Sequence, residues 1–164
     1  LEMIEARWLF GVEMDCVKGV VHPQSVVHSL VEYVDGSMIA QMSTPDMCLP
    51  IQYALTHPER MANQRVQTNL ASIGTLQFEE PDSERFPALD LARRAGEVCG
   101  TLPAVFNAAN EVAVDAFCEG KLSFLGITKL GSDVMDQHQV ITHPDLTQIL
   151  ESDQWARRHA TVLI

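Results

Sequence analysis

With 164 residues, 46% of them hydrophobic, the chain has apolar side chains for one ordinary core or two small ones. Eleven Lys and Arg stand against 22 Asp and Glu, for a formal net charge of −11. That acidity offers no basic field to a phosphodiester backbone, which argues against a nucleic-acid partner. No run approaches the roughly 18 consecutive apolar residues of a membrane span, and no basic-then-apolar signal segment opens the chain. Cys16, Cys48, Cys99 and Cys118 show no CxxC spacing, so reduced thiols fit better than a zinc knuckle or a disulfide framework.

Residues 1–10 predict a helix whose buried stripe is Leu1, Ile4 and Trp8, at i, i+3, i+7. Glu2 and Glu5 ride beside that stripe. The chain opens on Leu1 with no Ser, Thr, Asp or Asn cap, and reads as the C-terminal part of something longer. His22-Pro23-Gln24-Ser25 then forms a turn at the entry to a strand. Two β-rich runs, 28–34 and 37–42, meet at Asp35-Gly36, which predicts a hairpin with a type I′ turn. Residues 57–83, with His57-Pro58 and Pro81-Asp82, have weak periodicity and are expected to be a linker running over the surface.

Beyond the linker the pattern turns helical, near 87–99, 103–118, 124–137 and 144–160. Pro87 and Pro103 fit first-turn positions, Gly100 and Gly120 fit stops, and Ser123 and His143-Pro144 fit further starts. The strongest pattern is Val105, Phe106, Ala109, Val112, Ala113, Ala116 and Phe117, wide enough to bury a face against several neighbours. The expected fold is therefore α+β: a hairpin-containing sheet within residues 1–56, a linker (57–83) and a bundle of about four helices (84–164).

The residues that carry chemistry cluster near the start. Glu2, a hard oxygen donor on a rigid helix, suits Mg²⁺ or Mn²⁺, or else it simply solvates a helix face. One carboxylate cannot build such a site, since these ions want about six ligands; the others would come from upstream or from substrate. Glu5, about one turn further on, either orients that ligand or meets solvent. His22 and His28 are each able to hydrogen-bond a substrate oxygen or shuttle a proton, and each is also able to be a satisfied structural group. Met47, in Pro45-Asp46-Met47-Cys48-Leu49-Pro50, is either a flexible core filler or a thioether against a flat aromatic ligand. Trp8 is expected in the core, and Asn107-Ala-Ala-Asn110-Glu111 is read as structural because it lacks a nucleophile or an acid pair.

In this order, Glu-Met-Ile-Glu-Ala-Arg-Trp-Leu-Phe-Gly, His-Pro-Gln-Ser-Val-Val-His-Ser, the Asp-Gly hairpin, Pro-Asp-Met, Phe-Pro-Ala-Leu-Asp-Leu-Ala and Asn-Ala-Ala-Asn-Glu-Val-Ala-Val closely resemble 1-deoxy-D-xylulose 5-phosphate reductoisomerase. The series spans essentially the whole chain, which is similar to the last two-fifths of that enzyme. The resemblance implies conversion of 1-deoxy-D-xylulose 5-phosphate to 2-C-methyl-D-erythritol 4-phosphate with NADPH and a divalent metal, in the non-mevalonate route to isoprenoid precursors. It also implies a homodimer and a cytoplasmic, bacterial-type location, with a plastid left open. Carried over by position, Glu2 matches a metal carboxylate that also approaches substrate oxygens, Glu5 a neighbouring acid, His28 an active-site histidine that approaches substrate, and Met47 the methionine beside the nicotinamide.

The family's glycine-rich dinucleotide turn and its phosphate-gripping Asn-Lys are not found in these residues, and its metal-binding Asp-x-Glu pair is expected upstream of them. This chain alone is therefore expected to bind NADPH negligibly and to need an upstream partner segment. The alternative reading is a non-catalytic dimerisation scaffold built on a strand edge and a helical bundle. A zinc hydrolase fails for lack of ligands.

Overall fold

Alanines and larger apolar residues recurring through residues 102–118 make α5 (Leu102–Cys118), the helix around which one part of the molecule packs. Pro103 sits in its first turn, where a missing N–H costs nothing. In this computed structural model, which describes residues 1–164, α5 buries Leu102, Val105, Phe106, Ala108, Ala109, Ala113 and Ala116. Phe117, expected on that face, is 39% exposed and meets Phe124 edge to face at 6.0 Å.

Three further helices complete the bundle: α4 (Ala88–Val98), α6 (Phe124–Gln137) and α7 (Leu146–Leu163). Ser123 caps α6 by accepting from the Gly126 N–H, and Asp145 closes a capping box with Gln148 at the start of α7, two residues after the predicted His143-Pro144 signal. Ser152, Ala156 and Ala160 form the buried face of α7, small enough to let it approach α5 closely. Arg157 on α7 donates to both Asp153 oxygens, at 2.8 and 3.0 Å, and to Glu111 on α5 at 2.8 Å. Asn107 donates to that Glu111, so the Asn107–Glu111 segment ties two helices together.

The first helix, α1 (Glu2–Phe10), packs on α4 and sends Ile4 into the same core. The chain then turns through Met14, only 2% exposed, which lies where a side chain on Gly96 would sit; Arg93 donates to the carbonyls of Met14 and Val17. Trp8, expected in the core, is 65% exposed, because Ile4 alone turns inward.

The remaining elements are β1 (Val27–Glu32), β2 (Met38–Met42), α2 (Cys48–Thr56) and the single turn α3 (Leu70–Ile73). β1 and β2 pair antiparallel as a two-stranded sheet. The expected type I′ turn is not formed. Only Gly36 takes a positive φ (82°), the Gly36 N–H donates to Tyr33 O, and the Tyr33 N–H donates to Ser37 O. That is a three-residue loop closed by a glycine bulge. Asp35 stays out of the left-handed region because its carboxylate accepts from the Ser37 N–H and hydroxyl instead.

The fold is thus mixed α+β, and packing divides it into two compact units: Leu1–Gly19 with Pro81–Ile164, and Val20–Glu80. This grouping cuts the chain differently from 1–56, 57–83 and 84–164. α1 joins the helices because Ile4 needs their core, and residues 57–80 join the hairpin because Val21 and Glu79 exchange backbone hydrogen bonds.

Candidate functional site

The first turn of a helix favours carboxylates, since unpaired N–H groups leave its end partly positive, and Glu2 and Glu5 both occupy the first turn of α1. Both are exposed, while Ile4 between them anchors the helix at 8% exposure. No hydrogen bond or ion pair engages either carboxylate. Arg7 does not neutralise them: it binds Glu13 at 2.7 Å, and that hydrogen bond raises the guanidinium pKa. Glu2 is therefore a free hard-oxygen donor. No three His, Cys, Asp or Glu side chains converge on one point, so Glu2 fits a divalent ion as a single ligand.

His28 owes its setting to an irregularity in the sheet. Val27 pairs with Met42 but Ser29 with Gln41, so His28 is the extra residue of a β-bulge. Bulges re-aim side chains, and here the imidazole Nε2 is turned onto Ser43, 3.0 Å from its Oγ and 3.2 Å from its carbonyl oxygen. Both contacts engage Nε2, so the ring is anchored through that nitrogen while Nδ1 takes no part in them. Ser43 is 5% exposed, whereas His28 lies on the surface. The ring is held from behind and open in front.

Met47 stands at the start of α2 with 71% of its surface exposed. Its backbone is fixed by Asp46, whose carboxylate accepts from the Cys48 N–H at 2.8 Å and pairs with Arg65 at 3.2 Å. The Cys48 backbone and side-chain hydrogen bonds, then Arg65, lower the Asp46 pKa. A rigid loop thus presents a free thioether. His22 shares no partner with His28; its Nδ1 lies 2.7 Å from the Gln77 carbonyl oxygen.

Residues 42–159 match the family described as DXP reductoisomerase C-terminal domain. The chain belongs to the DXP reductoisomerase family. A 1-deoxy-D-xylulose 5-phosphate reductoisomerase of Pelotomaculum thermopropionicum is 54% identical over 164 residues, which is 100% of this chain and 42% of that relative. A solved reductoisomerase from Zymomonas mobilis in complex with NADPH superposes with a TM-score of 0.90 at 42% identity, over 99% of this chain and 43% of that one. Another, in complex with NADPH, fosmidomycin and magnesium, gives 0.91 at 39% identity, over 98% and 42%. The chain spans about two-fifths of the length of the curated relatives it matches. Within the reductoisomerase match, Met47 lies inside residues 42–159, whereas Glu2, Glu5 and His28 lie before it and are covered by the full-length alignment to the Pelotomaculum relative.

Sequence reasoning overlooked Ser43, the residue that holds His28. Its only signal is a small polar residue one step past a strand end; the contact itself depends on the bulge, which period-two alternation does not reveal.

Proposed function

We propose that this chain supplies the C-terminal part of an NADPH- and divalent-metal-dependent reductoisomerase that converts 1-deoxy-D-xylulose 5-phosphate to 2-C-methyl-D-erythritol 4-phosphate. The observation that carries the reading is 54% identity to a named reductoisomerase over every residue of the chain. In the complete enzyme the division would be 1–56 as the end of the catalytic domain, 57–83 as linker and 84–164 as the helical domain.

A bound divalent ion would supply Lewis-acid stabilisation of charge developing on substrate oxygens, and NADPH would supply the hydride. Glu2 would offer that ion one oxygen ligand and would approach the same substrate oxygens, and Glu5, unpaired one turn on, would add negative potential beside it. His28, clamped through Nε2 by Ser43, presents Nδ1 for hydrogen bonding to the phosphorylated sugar. Met47 presents an apolar, polarizable sulfur suited to one face of a nicotinamide ring. The other metal ligands and most of the nucleotide site would come from an upstream segment of the longer enzyme.

No helix is long and apolar enough to cross a membrane. A cytoplasmic homodimer fits this reading. The second reading, a dimerisation scaffold without chemistry, is favoured only by the two-stranded sheet, whose outer edges carry no paired strand.

Metal-dependent NADPH oxidation with 1-deoxy-D-xylulose 5-phosphate separates the two, measured on the chain alone and after mixing with the separately produced upstream part of a relative. Activity is expected only in the mixture, with Glu2→Ala lowering it by about 10²-fold or more, as loss of a metal ligand does. Turnover by the chain alone, or full activity of the Glu2→Ala mixture, overturns the assignment.

A further inference from the structure

His22 makes its bond through Nδ1, and the carbonyl of Gln77 can only accept, so Nδ1 carries the ring proton and Nε2 the lone pair. That Nε2 is buried and has no hydrogen-bond partner. The ring stacks on Phe78 with centroids 4.6 Å apart and an 18° tilt. Beside it, Gln24 Nε2 donates to Gln77 Oε1 at 2.7 Å and the Gln77 N–H donates to Gln24 Oε1 at 3.1 Å. Val21 and Glu79 exchange two backbone hydrogen bonds, each 2.9 Å. Residues 21–24 therefore clasp residues 77–79, and these are the two ends of the Val20–Glu80 unit.

That unit buries only Val26 and Ser43. Closing a loop of this length costs chain entropy that so small a core offsets only in part, and the clasp is one of the contacts that offset the rest. Its effect reaches His28 by short steps. The Ser25 N–H donates to His22 O at 3.0 Å, fixing a turn in which Ser25 is held at φ 50°. Val26, next in the chain, accepts from the Ser43 N–H at 3.0 Å, and the same Ser43 holds the His28 ring.

We propose that His22 is a positioning residue, acting through Nδ1 alone: it latches the two ends of the unit together and thereby sets the turn and bulge that aim His28. An acid–base or ligating role would need a reachable nitrogen, and His22 has none, one being bonded to Gln77 and the other buried. The importance for catalysis rests on the reductoisomerase reading; the latch itself does not.

Asn places its amide nitrogen where Nδ1 stands, and Gln where Nε2 stands, so the two substitutions separate the roles. Amide hydrogen exchange at Val21 and Glu79 in this chain, referenced to amides of α5, tests the latch without any activity. Protection within about threefold of the parent is expected for His22→Asn, and a loss of about tenfold or more for His22→Gln and His22→Ala, the scale of one lost hydrogen bond. Protection equal in all three variants, or restored by Gln and not by Asn, overturns the latch. In the reconstituted enzyme, kcat is expected to follow the same order, and His22→Ala is expected to cost much less when His28 is already Ala. Full additivity of the two substitutions overturns the link to His28 even where the exchange result stands.

Discussion

The helical unit and the Val20–Glu80 unit are built on opposite principles. The first hides a continuous core, with Val105, Ala108, Ala109, Ala113, Val134, Ala156 and Ala160 at 0% exposure. The second leaves large apolar side chains open on both faces of its hairpin, among them Leu30, Val31, Met38 and Ile39, and holds its shape largely by hydrogen bonds. Two strands alone are marginal in water, so what fixes them is the clasp at their base and the cross-links at Ser43 and Thr44. His28 and Met47, the candidate substrate and cofactor contacts, sit on the loosely packed unit, while Glu2 projects from the well-packed one. A rigid base suits the metal-ligand role proposed for Glu2, and ligand-binding loops are commonly drawn from regions of lower local stability.

The contrast is broken most directly by truncating one apolar residue in each unit. Leu102→Ala, at 1% exposure, is expected to cost about 3 kcal/mol in urea unfolding, because a cavity adds to the lost transfer energy. Leu30→Ala, at 41% exposure, is expected to cost less than about 1 kcal/mol. Equal losses would mean that the hairpin is as well packed as the bundle.

Next in size is Thr101, fully buried, whose Oγ1 accepts from the Ile141 N–H at 3.1 Å and shares a hydrogen bond with His138 Nε2 at 2.7 Å. Thr101→Val is expected to cost about 1–3 kcal/mol, since it leaves both partners without a hydrogen bond. The same pair gives the helical unit a pH signature. Burial lowers the His138 pKa below its ordinary 6.5, so the unfolded chain binds more protons than the folded one just below that pH. Stability is therefore expected to be full above about pH 6.5 and to fall as pH drops through the folded value, with His138→Gln flattening the curve. The far-UV signal of the helices, followed against urea at several pH values, reads this out.

The smallest expected effect is at the surface. Arg157→Ala breaks the bridge from α7 to Glu111, but the guanidinium is 39% exposed, so about 0.5–1 kcal/mol is expected, shrinking with added salt. A loss that ignores salt would show that packing of the arginine stem, not charge, holds α5 to α7.

Much of the helical unit was legible beforehand. Ser123 caps α6 and Pro103 opens α5 as the local rules require, and the alanine-rich face of α5 is buried almost as its spacing demands. Trp8 and Phe117 were misread because periodicity shows which residues share a face, not how many neighbours come to cover it. Asp35-Gly36 marked the hairpin, yet the loop type was set by one left-handed glycine and by Asp35 bonding to Ser37. For the candidate site, residue types and order gave Glu2, Glu5, His28 and Met47, but not what holds them.

By itself the sequence determined α1, the hairpin and the four C-terminal helices, their order, the acidic surface and the family, because helix periods, caps and residue order are local along the chain; it gave no sign of α2 or α3. Only the tertiary structure decided that α1 joins the helices, that a one-residue bulge turns His28 onto Ser43, and that His22 spends its proton on Gln77. Each of these depends on residues brought together from distant positions in the chain or on a register that slips by one, and side-chain period alone carries no record of either.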